Sequence, residues 1–199
     1  MTPLVALPAH AGLPAAAAAA GLTVIAAARW PEPTDSGEVA PLAGFVVSTF
    51  NPLFAAVADR CLNRRPDGPR VAPDSRVTAV IVVSTLGDVT SAAHVAEAVD
   101  AGDRVRPLLF FQSVPNAIAG YVASRRRLTG PMASVGTAEA ALAVATLLID
   151  DADADEALIV SVDVAATAAE SDRAAAILVT AGDHQSATGD GVGSQGGRS

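Results

Sequence analysis

Apolar residues recur along this chain with three spacings, and each predicts a different element. Thr78–Ser84, TAVIVVS, is an unbroken β-branched run, the pattern of a strand buried on both faces of a central sheet. Thr85-Leu-Gly-Asp turns out of it, and a helix is expected from about Ser91 to Asp100 with Ser91 as its cap. Asn51-Pro52 opens a helix to about Asn63, with proline in the first turn. On that helix Leu53, Phe54, Val57, Ala58, Cys61 and Leu62 share one face, while Asp59, Arg60 and Arg64 share the other. Ala138–Ile149 reads as an apolar helix long enough to be central and buried, and Leu158–Val164 and Ala174–Thr180 read as two strands joined by a polar loop.

Ahead of these, residues 1–30 suggest a strand, an alanine-rich helical or turn segment, and a strand around Leu22–Ala27. Pro31–Pro41 and Arg65–Pro73 are loops by their proline, glycine and polar content. From Thr78 onward the order is strand, helix, helix, strand, helix, strand, strand, which argues for an α/β fold with a mixed sheet of about five strands. One domain over residues 1–181, followed by a flexible Gly/Ser-rich tail over 182–199, is the expected organisation.

The stretch Arg104–Val135 is the richest in special residues. Ser113 or Asn116 can cap a helix of roughly three turns, whose first turn tolerates Pro115 because proline's missing N–H would be unpaired there. The helix ends before Gly130-Pro131. Ala117, Gly120 and Ser124 form a small-residue edge on it, and Ile118, Tyr121 and Val122 a bulkier one. Such edges serve either ordinary core packing or close contact with a partner.

Composition narrows the function classes. The chain has 199 residues, of which 51% are hydrophobic and 4% aromatic, so its core is built from small aliphatic side chains. All 13 basic residues are arginine, and the formal net charge is −8. That charge gives no broad electrostatic footprint for nucleic acid. A single cysteine, Cys61, excludes an internal disulfide and a cysteine-based zinc cluster, and its place on an apolar face reads as a buried small hydrophobe. Residues 15–28 are alanine-rich, but no positive segment precedes them and Pro3, Pro8 and Pro14 interrupt the approach. A signal peptide is therefore not expected, and no run has the apolar length of a membrane span. A cytoplasmic protein is the expectation.

Other chemistry-bearing patterns are weak. His94 has no second ligand at metal spacing, and the acidic run from Asp150 to Glu156 lacks the spacing of a calcium loop, so both read as solvated; no metal and no cofactor are expected. Gly189, Gly191 and Gly193 imitate part of a phosphate loop with no strand before it or helix after it. There is no Gly-x-Ser-x-Gly elbow.

The run Pro107-Leu-Leu-Phe-Phe-Gln-Ser-Val-Pro-Asn-Ala-Ile-Ala-Gly-Tyr-Val-Ala, then Gly130-Pro131, with Val80-Ile-Val-Val-Ser-Thr-Leu-Gly-Asp upstream, resembles the β-ketoacyl synthases of the thiolase superfamily. It is most similar to the short ketosynthase-like subunits, chain-length factors, that accompany polyene-making type II polyketide synthases. The resemblance covers roughly residues 70–180. It implies half of a thiolase-like fold, without the second half that carries the catalytic histidines.

It also implies what is missing. Counting from Gly130-Pro131, Glu139 stands where the family places its nucleophilic cysteine. A thiol at a helix start is activated as thiolate, and a carboxylate there cannot form a thioester by that route. The resemblance therefore implies no catalytic residue, and a subunit that pairs with a full-length ketosynthase and shapes its acyl tunnel. Phe111, Gln112, Pro115, Ile118, Tyr121, Val122, Met132, Ser134 and Glu139 are the implied tunnel and interface residues. Arg125, Arg126 and Arg127 are candidates for docking an acyl carrier protein, directly or beside the partner, on an otherwise acidic chain. Met132–Val135 is the strand implied to cross the dimer two-fold. Two other readings remain open: a malonyl-decarboxylating relative that uses Glu139, and a structural or regulatory protein that binds some other partner.

Overall fold

The computed structural model describes residues 12–35, 37–45, 47–68, 76–105, 107, 109, 114–165 and 171–182. Its elements in chain order are α1 (Leu13–Ala19), β1 (Leu22–Trp30), α2 (Phe50–Asn63), β2 (Thr78–Val83), α3 (Val89–Asp100), α4 (Pro115–Arg126), β3 (Met132–Val135), α5 (Ala138–Asp150), β4 (Glu156–Asp163) and β5 (Arg173–Ala181). The strands form one five-stranded sheet in the order β1-β5-β4-β2-β3. β1, β5 and β4 are antiparallel neighbours, and β4, β2 and β3 run parallel. The mixed α/β sheet expected from the element order is the one observed. The strand expected before the alanine-rich segment, and the tail beyond Gly182, lie outside the described residues.

Helices cover both faces. On one, α2 and α4 bury Leu53, Phe54, Val57, Cys61, Ile118 and Val122 against Val80, Leu158 and Leu178. On the other, α1 and α5 bury Leu13, Ala17, Ala141, Leu142 and Ala145 against Ile81, Ile159 and Ile177. Every residue of β2 is buried, as an unbroken β-branched run between two covered faces requires. Alanine at positions 141 and 145 and along β5 lets helix and sheet approach closely, so a core poor in aromatic side chains still packs.

Several local expectations are corrected. The cap of α3 is Asp88 rather than Ser91. The Asp88 carboxylate accepts from the Ser91 backbone N–H at 3.0 Å, the Ser91 hydroxyl at 2.7 Å and the Asn51 amide at 3.1 Å, and a carboxylate with three donors outcompetes a hydroxyl for the cap. Asn116 does not cap α4. Val114 is the cap residue, without a side-chain bond, and Asn116 instead accepts from the Ser134 hydroxyl at 2.5 Å. Ser113 lies outside the described residues. Glu156 does not belong to the solvated acidic turn. It is the first residue of β4, it is buried, and it takes hydrogen bonds from Arg65 and Thr78.

Finally, α5 is not buried all round. Ala141, Leu142 and Ala145 face the sheet, while Leu147 is 58% exposed.

Candidate functional site

The position that should carry chemistry lies where β3 feeds α5. Gly130 brings the chain to it, and nothing larger fits there. A Cβ at Gly130 would stand 2.4 Å from the carbonyl carbon and oxygen of Thr78, and the Gly130 N–H donates to that oxygen at 3.1 Å. This close approach sets β3 in register beside β2, pairing Met132 with Val80 through Val135 with Val83. Thr137 is extended, and its hydroxyl accepts the Ala140 N–H at 3.2 Å, so α5 starts at a defined point. Glu139 follows in the first turn, exposed, where a carboxylate complements the helix dipole.

Neighbouring loops brace this corner. The Thr85 hydroxyl donates to the Gly136 carbonyl at 3.2 Å, and the Ser84 N–H donates to the Val135 carbonyl at 3.1 Å. Gly87, at φ +68°, lets the turn after β2 pass Pro115, whose ring carbon would lie 3.5 Å from a Cβ there. The Ser134–Asn116 bond ties β3 to α4.

None of this supplies a nucleophile. Cys61, the chain's one thiol, is fully buried on α2, on the opposite face of the sheet from α5, and burial pushes its pKa up to about 12. His94 is exposed on α3. His10 and His184 lie outside the described residues.

The remaining implied site residues separate into surface and interior. Pro115, Met132, Ser134 and Glu139 reach the surface near the β3–α5 corner, and Val114, 51% exposed, stands beside Pro115. Ile118 and Val122 are fully inside the chain's own core. Tyr121 packs edge-on against Phe45, with ring centroids 5.7 Å apart, and its hydroxyl accepts from Arg125 at 3.2 Å. Phe111 and Gln112 lie outside the described residues. The three consecutive arginines also diverge. Arg126 is ion-paired to Asp59 at 2.5 Å and donates to Asn63, Arg125 serves Tyr121, and Arg127, left-handed at φ 57°, ends α4 exposed.

Sequence reasoning missed the difference between the two edges of the sheet. β1 carries outward carbonyls capped by α2: Arg60 donates to the Arg29 oxygen at 2.8 Å and Arg64 to the Ala27 oxygen at 3.1 Å. At the other edge, β3 pairs with β2 alone among the described residues. An unpaired edge with an exposed Met132 is a template for another strand.

Residues 68–184 match the profile of the β-ketoacyl synthase N-terminal domain, more than half of the chain. The chain belongs to the β-ketoacyl synthase family. No curated protein matches it significantly. Among solved structures, this ketosynthase-like chain is similar to a chain of the ketosynthase ApeO in complex with its chain length factor ApeC from Xenorhabdus doucetiae, at TM-score 0.62 and 14% identity over 81% of this chain and 79% of that one. It is also similar to the ishigamide ketosynthase/chain length factor, at TM-score 0.58 and 20% identity over 74% of this chain and 48% of that one. A third is a type II PKS acyl-carrier protein in complex with its ketosynthase bound to the hexaketide, at TM-score 0.56 and 10% identity over 80% and 63%. At these identities the likeness is one of fold. The ketosynthase-like chain spans four fifths of the first of these chains, about half of the second and under two thirds of the third.

Proposed function

We propose that this ketosynthase-like chain is a non-catalytic subunit, a chain-length factor, that heterodimerises with a full-length ketosynthase and shapes its acyl tunnel in polyketide biosynthesis. What supports the reading is that Glu139 stands in the first turn of α5, where we place the family's nucleophile by counting from Gly130-Pro131, and that the sole cysteine is buried across the sheet. A subunit that keeps the fold of the site and lacks its thiol can contribute shape without turnover.

The open edge of β3 supports a strand-paired partner. Met132, Ser134, Pro115 and Glu139 are then the surface that meets the partner's tunnel. Ile118, Val122 and Tyr121 hold α4 in place behind them. The solved complexes of similar fold contain a ketosynthase with a chain length factor and a ketosynthase with an acyl-carrier protein, which is the company this reading assigns. Carrier docking falls to Arg125 and Arg127, because Arg126 is committed to Asp59. Among the described residues no helix is long and apolar enough to cross a membrane, and the site of action proposed is the cytoplasm.

The test is co-expression with a full-length ketosynthase. A stable heteromeric complex on native mass spectrometry is expected, with the chain poorly behaved alone. A monodisperse monomer indifferent to any ketosynthase defeats the proposal.

A further inference from the structure

Residues 31–49 join β1 to α2, and among the described residues this connection has neither a helix nor a strand of its own. Connections longer than about 12–15 residues without such structure are uncommon, and those that pack against a fold commonly serve as lids or binding loops. The first part of this one is fixed. Arg64 grips Glu32 at 2.7 Å and Arg60 grips Asp35 at 2.8 Å, while the Asp35 N–H donates to the Glu32 carbonyl at 2.9 Å. Residues 32–35 are thus a closed turn fastened to α2.

Residues 37–45 are held differently. Among the described residues none of them hydrogen-bonds outside the segment, and within it the Phe45 N–H donates to the Leu42 carbonyl at 2.9 Å. Three half-buried side chains, Val39, Leu42 and Phe45, attach it to the α2/α4 cluster, Phe45 by its edge-on contact with Tyr121. Beneath it lies a groove of about 460 Å³, walled by Val39 and Leu42 on one side and by Pro52 and Ala55 of α2 on the other. Pro52 and Ala55 are buried, with the segment as the outer wall.

A segment with few buried contacts and no hydrogen bonds to the core sits at the low end of local stability, and opens while the core stays folded. Gly37 stands between the fixed turn and this segment, at φ +91° with nothing near a would-be Cβ, so the chain can pivot there. We infer that residues 37–45 are a lid on the α2–α4 groove, which swings about Gly37 from the clamped 32–35 turn and opens without unfolding of the sheet. The groove has the volume of a small-molecule site, roughly 300–1,000 Å³, so the lid controls entry to a ligand-sized space. It depends on none of the partner contacts proposed above.

Cys61 is the chain's one thiol and is fully buried on the same helix, so its alkylation reports loss of the core. Ala55→Cys adds a thiol under the lid, and Ala43→Cys one on the lid's exposed surface. The full chain, with its partner subunit where that is needed for solubility, is treated with iodoacetamide, and each thiol is followed by peptide mass spectrometry. The thiol at position 55 is expected to react at least about tenfold faster than Cys61 and at least about tenfold slower than the thiol at position 43, as local opening requires. Low urea should accelerate Cys61 and leave position 55 nearly unmoved, because lifting the lid exposes little surface. Phe45→Ala should speed labelling at position 55 about fivefold by removing the aromatic pair. Circular dichroism establishes that each variant is folded, and Pro52→Cys or Leu42→Ala replaces Ala55→Cys or Phe45→Ala if that one is not. Labelling under the lid in step with Cys61, as fast as at position 43, or unmoved by the folded lid variant overturns the lid.

Discussion

Arg65 donates to Glu156 at 2.6 Å in the interior, with each side chain 2% exposed. The same carboxylate oxygen accepts the Thr78 hydroxyl at 2.5 Å, so the loop after α2 is bound to the first residues of β2 and β4. Removing one partner strands a buried charge, which costs about 3–5 kcal/mol. Arg65→Ala is expected to lose that much stability in urea titration, while Arg65→Met/Glu156→Leu should recover most of it. Equal losses in both variants would show that a stranded charge is not what Arg65→Ala costs.

Arg60 and Arg64 make a different prediction. They cover the outward carbonyls of β1 while gripping Asp35 and Glu32. Arg60→Ala/Arg64→Ala should bare this edge and produce self-association in light scattering, in the chain alone and in any complex. A double variant as monodisperse as the parent would remove the edge-blocking role.

The same clamp has a pH dependence. Hydrogen bonding from Arg64 lowers the pKa of Glu32, and hydrogen bonding from Arg60 lowers that of Asp35. A depressed carboxylate contributes stability that is fully present above its unfolded pKa and is lost as pH falls through its folded pKa. The clamp therefore holds at neutral pH and releases in acid, below the ordinary carboxylate range. Chemical denaturation against pH should show an acid limb that is shallower in Glu32→Gln/Asp35→Asn.

Two glycines on neighbouring elements should behave oppositely. Gly130→Ala drives a methyl into the Thr78 carbonyl and should cost on the order of 3 kcal/mol. A Cβ at Gly120, mid-way along α4, meets nothing within 4 Å, so Gly120→Ala should stabilise the isolated chain by about 0.5–1 kcal/mol. If a partner packs on the small edge of Ala117, Gly120 and Ser124, the same change should weaken the complex. Thermal melts with and without the ketosynthase separate the two effects.

Glu139 should be chemically silent. Incubation with acyl thioesters is expected to leave the mass of the chain unchanged, and Glu139→Ala should alter stability by no more than about 0.3–1 kcal/mol, the scale of a helix-dipole contact. A stoichiometric acyl adduct on this chain would sink the non-catalytic reading.

Much of this was legible in the sequence because it is local. The β-branched run at Thr78–Val83, proline at the start of α2 and α4, and the alternation of elements from Thr78 onward each fix a backbone preference within a few residues. The burial of Cys61 followed from the face it shares on α2. Tertiary structure alone decided what depends on distant partners. Asp88 displaced Ser91 as a cap because Asn51, far back in the chain, adds a donor to its carboxylate. Glu156 left the acidic run because Arg65 and Thr78 meet it inside. The split among Arg125, Arg126 and Arg127 was set by which of them the packing of α4 on α2 brought to Asp59. A charge reads as solvated in sequence because its partner is not adjacent to it, and only the fold brings the two together.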